Sequence, residues 1–435
     1  MPDTLPAPVP AVPHDPEVVR AAAEAAVWAH PALLGYRELR TEVRTGVAAF
    51  GVLHHDDGLA APGDGTRWAD PTLLRSSAWL DLRAEPAVVG HPDLPPGLYA
   101  GVQVVDLLAR TVAHLGAASS GTAAADWAVV GPDWDGPVPP GVRGVLRPGS
   151  AIVRVLARTA VPAPGDLPRA RDLQRRFRAL PLHALGGVPP PRAAPSVAWL
   201  PWDEERAWGA GFVDYLALLL RLTRPDDPGD RALLDRWARL GLLPGPDRAV
   251  GARTRVLVAR GAALGAAQLE DALRREGPAA RAGGRTGGRA PGGDAALRRA
   301  VAAIHELHAP EPGEVRTRRW CALDGEPLDG RRRYRAVLRA PVPARLGWSL
   351  AAYAEPSGEL AANPARRSAL GHGTAGLPWT HAGVLAVALQ HHAPADAAGR
   401  AGWLPVPPGP FSLVLRLYAP DPDAEGWAPE LRVVG

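Results

Sequence analysis

The spacing of apolar positions divides the chain into a strand-like stretch, a helical stretch and a second strand-like stretch. In Ser76–Leu82, Ala78, Leu80 and Leu82 alternate with Ser77, Trp79 and Asp81, the two-residue period of a strand. Ala87-Val88-Val89, Tyr99–Leu108, Trp127–Val130 and Ser150–Arg158 read as further strands. Breaks come at Glu85-Pro86, at Pro92, Pro95, Pro96 and Gly97, and at Gly131-Pro132. Short strands punctuated in this way over residues 72–161 predict an antiparallel sandwich or barrel. Ahead of them, Asp15 caps a predicted helix that reaches about Ala29, with Pro16 at its first position. A strand is predicted around Val47–Leu53.

The period then lengthens. Asp166–Leu180 predicts a helix with Leu167, Leu173 and Phe177 facing inward. After a Pro-rich connector at 185–201, Asp203 is placed to cap a helix that carries Trp208, Phe212, Tyr215, Leu216 and Leu219 on one side and ends before Pro225. Helices follow at 230–240, stopped by Gly241, at 256–275 and at 295–308. The last of these has Leu297, Val301, Ile304 and Leu307 or His308 on one face. Strands return at Tyr334–Leu338, Leu346–Tyr353, Val384–Gln390, Phe411–Tyr418 and Leu431–Val434, spaced as in a jelly roll.

The fold expected is α+β and mainly β: two antiparallel β-sandwich domains, the second jelly-roll-like, joined by a helical connector. Residues 1–14 form a Pro-rich disordered arm. Residues 15–185 form a helix with the first sandwich. Residues 186–315 form the connector, with low-complexity, disordered 277–294 inside it, and 316–435 form the second sandwich.

Composition narrows the chemistry. Gly (48) and Pro (49) together make up about a fifth of the chain, below the range of disordered sequences. There is no lysine, which argues against Schiff-base and pyridoxal chemistry. Arginine in its place, with abundant Ala and Gly, fits a GC-rich genome. The net charge of +4 is too small and too dispersed for a nucleic-acid protein. The single Cys321 permits no intrachain disulfide and no cysteine metal cluster. The first residues lack the basic and apolar segments of a signal peptide, and no apolar run is long enough to span a membrane. A cytoplasmic protein is expected, with no cofactor and no bound metal.

The order of motifs resembles a bacterial family that joins a domain of unknown function numbered 1254 to one numbered 1214. In the first half the resemblance rests on Ser76-Ser77-Ala78-Trp79-Leu80-Asp81-Leu82 with Glu85-Pro86, on Gly131-Pro132-Asp133-Trp134-Asp135-Gly136 and on Leu173-Gln174. Phe212–Leu220, Leu240-Gly241 and Pro244-Gly245 carry it through the middle. In the second half it rests on Trp348-Ser349-Leu350 with Tyr353, Asn363-Pro364, Trp403-Leu404-Pro405, Arg416-Leu417-Tyr418 with Pro420, and Trp427. It implies two sandwich-like domains, the second similar to the jelly rolls of glycan-processing amidases, and no established activity. The chain departs from the family at polar positions. Asp70, Thr72 and Arg75 stand where the family has Asn, Asp and Tyr. Gly116–Gly121 lacks the family's arginine, Ala382-Gly383-Val384-Leu385 replaces Asp-Gly-Ser-Leu, and Gly402 replaces an Asn. Structural Trp, Pro and Gly are kept, the pattern of a degenerate site.

The catalytic candidates are Asp81, Asp106 and Asp133, any two of which form an acid–base pair if their strands converge, together with Arg158 and Arg416 as anion ligands. The plainer reading gives Asp133 and Asp135 a role in the turn around Trp134 and the arginines a role in strand packing. Trp79, Trp348, Tyr353, Trp403 and Tyr418 are candidate binding residues, either core or stacking platforms. His305-Glu306-Leu307-His308 spaces its histidines by three, not the four of a zinc-protease helix. His54-His55 and His391-His392 point to opposite strand faces. Gly371-His372-Gly373-Thr374-Ala375-Gly376 matches a dinucleotide fingerprint in form but has neither a clear strand before it nor a helix after it, and Ser119-Ser120 suits a turn. Two functions are expected from this set. One is a diverged, non-catalytic protein that binds a small molecule, glycan or protein partner. The other is a hydrolase of a glycoconjugate or small amide. Oligomeric state is left open.

Overall fold

The computed structural model describes residues 15–46, 49–137, 140–225, 227–243, 250–275 and 295–434. The arm expected at 1–14 and the low-complexity stretch at 277–294 lie outside the described residues. Asp15 caps the first helix, α1 (Pro16–Arg44), and its carboxylate accepts from the amides of Glu17 and Val18 at 3.2 Å. The helix runs on past the predicted end at Ala29, with Pro31 inside it. Trp28, Ala29, Ala32, Leu33, Tyr36 and Leu39 are buried on both sides of Pro31. That burial outweighs the ~3 kcal/mol cost of an interior proline. Among the described residues of the strand predicted at Val47–Leu53, Phe50 makes an isolated bridge to Trp79, and the strand that forms is β1 (His54–His55).

The strands that follow are β2 (Leu73–Asp81), β3 (Ala87–His91), β4 (Ala100–Asp106), β5 (Thr111–Gly116), β6 (Ala125–Val129), β7 (Gly144–Leu146), β8 (Ile152–Ala160) and β9 (Arg178–Pro181). They form two sheets, ordered β1-β2-β8-β4-β5 and β7-β6-β3-β9, antiparallel except for β6 with β7. Ala78, Leu80, Val104 and Val155 of the first sheet meet Val89, Trp127, Val129 and Ala179 of the second in one core. The helix predicted over Asp166–Leu180 forms only as α2 (Leu167–Gln174). Arg178–Pro181 pairs with β3 instead, where Ala179 is buried. The outer face of the first sheet is also covered, since Trp79 and Ile152 belong to the core built around α1.

The connector holds α3 (Leu182–Gly186), α4 (Glu204–Ala207), α5 (Phe212–Leu222), α6 (Pro228–Arg239), α7 (Ala252–Arg275) and α8 (Ala295–His305). Asp203 caps α4 through the amide of Arg206 at 2.9 Å. The single helix predicted there is broken between Ala207 and Phe212, where Gly209 and Gly211 interrupt it. α8 ends at His305, so Leu307 and His308 lie beyond it. It buries Ala296, Ala300, Val301 and Ala303, because a face of small residues lets it pack closely on α1. α7 packs on α1 in the same way. A Cβ added to Gly261 would stand 2.4 Å from the Ala22 Cβ and 2.6 Å from the Val19 carbonyl oxygen. Gly261→Val will therefore force the two helices apart, and a loss of about 1–3 kcal/mol is expected in urea unfolding. A loss under about 0.5 kcal/mol would mean that the pair repacks freely.

The second half comprises β10 (Val315–Trp320), β11 (Ala322–Leu323), β12 (Glu326–Pro327), β13 (Arg333–Arg339), β14 (Trp348–Ala354), β15 (Glu359–Leu360), β16 (Ala369–Gly371), β17 (Val384–Gln390), β18 (Trp403–Pro405), β19 (Phe411–Tyr418) and β20 (Glu430–Val434). One sheet runs β10-β19-β14-β15 with β16 beside β14, and the facing sheet runs β18-β17-β13-β20. Leu350, Leu413, Leu415 and Leu417 of the first meet Ala336, Leu338, Leu385 and Val387 of the second. The sequence does not predict β10, because its three arginines mask the apolar alternation; pairing with β19 makes it a strand. The class is α+β and mainly β, with sandwich-like domains. Among the described residues no helix is long and apolar enough to cross a membrane.

Candidate functional site

Every residue of β19 is buried. Phe411, Leu413, Leu415 and Leu417 fill the second sandwich. The alternate residues, Ser412, Val414, Arg416 and Tyr418, lie on the other face, with Ser349 and Tyr353 beside them on β14 by register. This polar face meets the segment that leads into β2. Asp70 lies in the turn three residues before β2: its Oδ1 accepts from the Thr72 amide at 3.0 Å and the Thr72 hydroxyl at 2.8 Å. Trp68, two residues earlier, holds a left-handed φ of 54°, rare for a bulky residue.

The two surfaces interlock through buried hydrogen bonds. The Arg416 guanidinium donates to Tyr353 Oη at 2.8 Å and to the Trp68 carbonyl at 2.6 Å, and its Nε lies 3.7 Å from Asp70 Oδ2. Tyr353 donates to the Ala69 carbonyl at 2.7 Å, and Tyr418 donates to Asp70 Oδ2 at 2.5 Å. The hydroxyls of Ser349 and Thr72 lie 2.8 and 2.9 Å from that of Tyr418. Burial pushes the Tyr353 hydroxyl up to about 12, against the pull of Arg416. Burial and the Asp70 charge push Tyr418 well above the usual tyrosine range. Burial alone would lower the Arg416 pKa; Tyr353, Asp70 and Glu306 outweigh it and hold the guanidinium firmly charged.

A second group of polar residues continues the seam. The Tyr99 ring stacks on Tyr418, with centroids 4.9 Å apart. Beside it the Glu314 carboxyl is pushed up to about 7 by burial, against the opposing effects of Arg158, Ser119 and Tyr99. Arg158 donates to Gln103 Oε1 at 2.8 Å and to the His308 carbonyl at 2.9 Å. The His308 Nε2 lies 2.6 Å from Glu38 on α1. Burial works to raise the Glu38 pKa, but His308 and Arg154 outweigh it and hold the carboxyl down at about 2. Arg154 in turn donates to Glu42 at 2.5 and 2.6 Å and lies over the Trp79 ring at 4.7 Å.

Of the ten candidates from the sequence, the structure brings Arg416, Tyr353 and Tyr418 together, and Arg158 belongs to the adjoining group around Tyr99 and Glu314. The remaining candidates stand apart. Asp81 pairs with Arg83 at 2.6 Å, and Asp133 pairs with Arg224 at an exposed site at 2.5 Å. Asp106 is buried, accepts from the Arg110 amide at 2.8 Å, and is pushed up to about 6 by desolvation. Trp79 lies beneath α1, where its Nε1 donates to Glu42 at 2.8 Å. Trp348 lies in the sandwich core, and Trp403 is buried with its Nε1 on the Gln390 carbonyl at 2.8 Å. The sequence reading missed Asp70, Thr72, Ser349, Tyr99 and Glu314. Ser349 and Arg416, polar residues inside otherwise apolar strands, were the available signal. Asp70 and Thr72, noted only as departures from the family, sit at the centre. Among the described residues no group of three or more His, Cys, Asp or Glu could hold a metal ion. A short strand, Ala369–Gly371, does precede the Gly371–Gly376 motif, but the Thr374 hydroxyl closes it into a turn on the Gly371 amide at 2.9 Å.

Two β-sandwich-like domains, joined by a helical layer and interlocked through a sealed polar seam, define the class of protein. Residues 50–181 match the model of a protein of unknown function (DUF1254), and residues 315–422 match that of a second (DUF1214). The chain belongs to the family in which these two domains follow one another. The crystal structure of the VPA0106 protein from Vibrio parahaemolyticus is similar to 96% of this chain and 100% of its own, with TM-score 0.77 and 20% identity; this likeness concerns the fold. An uncharacterized protein from Burkholderia cenocepacia aligns over 96% of this chain and 94% of its own, with TM-score 0.42 and 12% identity. No curated protein matches the chain.

Proposed function

We propose that this protein is a diverged, non-catalytic member of its family that binds a small molecule, a glycan or a protein partner without turning it over. The observation that carries this reading is how the five catalytic candidates are engaged. Asp81, Asp106, Asp133, Arg158 and Arg416 each bond to a partner within the chain, and the three carboxylates lie at separate places. Acid–base chemistry needs two such groups within reach of one substrate. The units are taken as 15–185, 186–315 and 316–435. The cytoplasm is taken as the compartment, in keeping with a single cysteine.

One observation favours the alternative, a hydrolase of a glycoconjugate or small amide. The Glu314 carboxyl, held near neutrality beside Arg158 and Ser119, has the protonation of a general acid. Incubation of the purified protein with chromogenic glycosides, amides and esters separates the readings. No turnover above the buffer rate is expected, while a ligand panel is expected to raise the melting temperature with at least one member. Turnover that is lost in Glu314→Gln would overturn the non-catalytic reading and establish the hydrolase.

A further inference from the structure

We propose that the polar face of β14 and β19 is a receptor site for a carboxylate next to amide carbonyls, and that its resident ligand is the chain's own Trp68-Ala69-Asp70 segment. The proposal deepens the binding reading above and rests on it.

At the next turn the Trp68 amide donates to the Gly358 carbonyl at 2.8 Å, but on the face of β14 and β19 the side-chain donors all come from the sheet. Three donors, the Arg416 guanidinium and the hydroxyls of Tyr353 and Tyr418, come from two adjacent strands of one sheet. The three acceptors they reach, the Trp68 carbonyl, the Ala69 carbonyl and the Asp70 carboxylate, come from a segment outside any strand in the other half of the chain. Donors fixed on rigid strands and acceptors on a loop is the division between a recognition site and a peptide-like ligand. An arginine that pairs a carboxylate and also takes a carbonyl is suited to a peptide or acylated amino acid with an acidic side chain.

An apolar seat lies beside the donors. The Trp68 indole packs with Ala351, Tyr353, Leu360 and Val414, its ring 5.3 Å from that of Tyr353. The segment also carries strain, the left-handed backbone of Trp68, which surrounding contacts must hold in place. On the sheet side a left-handed φ of 50° occurs at Ala419, just past the end of β19.

The test is chemical rescue in the full-length protein. Asp70→Ala deletes the resident carboxylate and leaves Arg416 and Tyr418 without their acidic partner. In sodium chloride the variant is expected to melt well below the wild type. Sodium formate or acetate at equal ionic strength is expected to restore part of that loss along a saturating curve, while leaving the wild type unmoved. Asp70→Ala/Arg416→Met is expected to show no response. If Asp70→Ala does not fold in chloride, the readout becomes the soluble yield on refolding in formate against chloride, and a gain that requires Arg416 supports the site. A variant that responds equally to chloride and formate, or to neither, overturns the proposal. That failure is distinct from failure of the non-catalytic reading, which would appear as turnover of a chromogenic substrate with rescue intact.

Discussion

Arg416→Met is expected to destabilise the protein by about 3–5 kcal/mol, the usual cost of leaving one member of a buried ion pair without its partner. Arg416 and Asp70 are 5% and 9% exposed, so solvent cannot take the place of the missing guanidinium. The change also removes the donor to the Trp68 carbonyl and one of the two hydrogen bonds of the Tyr353 hydroxyl, which keeps its bond to the Ala69 carbonyl. Urea unfolding followed by circular dichroism measures the loss. Asp70→Leu combined with Arg416→Met should recover part of the deficit, because removing both charges leaves no uncompensated one. A single-variant loss under about 1 kcal/mol would show that the seam does not hold the two halves together.

Glu314 is expected to lower stability as the pH rises from about 4.5 to 7, while His30 and His114, lowered from 6.5 to about 4 chiefly by burial, raise it over the same range, so Glu314→Gln is expected to make stability climb more steeply with pH than in the wild type. The folded Glu314 carboxyl keeps its proton up to about 7, against 4.5 for a glutamate free in water, so through this group the folded state binds more protons in this window. Through Glu314 alone the unfolded state gains on the folded state as the pH rises, by about 3 kcal/mol over the full window. Asp106, raised from 3.8 to about 6, acts in the same direction over a slightly more acid range. Glu38 acts with the opposite sign below this window: lowered from 4.5 to about 2, it contributes stability that is fully present above about 4.5 and is lost as the pH falls towards 2. Relative to the wild type, Glu314→Gln should gain stability at about pH 8 and gain little at about pH 4. Equal stability differences at both values would show that Glu314 ionises as freely in the folded chain as in the unfolded one.

The β strands were legible because their signal is local. Val384–Gln390 and Phe411–Tyr418 form over the residues that alternation predicts. The errors came where distant packing decided the outcome. Pro31 should end α1, and only the helices and sheet packed around it keep α1 going to Arg44. Arg178–Pro181 reads as the end of a helix until β3 lies alongside. The seam was harder to read, since its members lie up to 348 residues apart, as in the bond between Tyr418 and Asp70. Arg416, Tyr353 and Tyr418 could be picked out singly as polar groups in apolar strands. Their acceptors include the backbone carbonyls of Trp68 and Ala69, which no side-chain pattern reveals.

β19 presents one face to its own sandwich and the other to the first half of the chain, and this shapes how the sequence can change over evolutionary time. A module that can be shuffled between genes must carry its core with it. Here part of the core of each half is supplied by the other. Chimeras that join the first half of this chain to the second half of a distant homologue should be viable only when the apolar and polar contacts across the seam still fit.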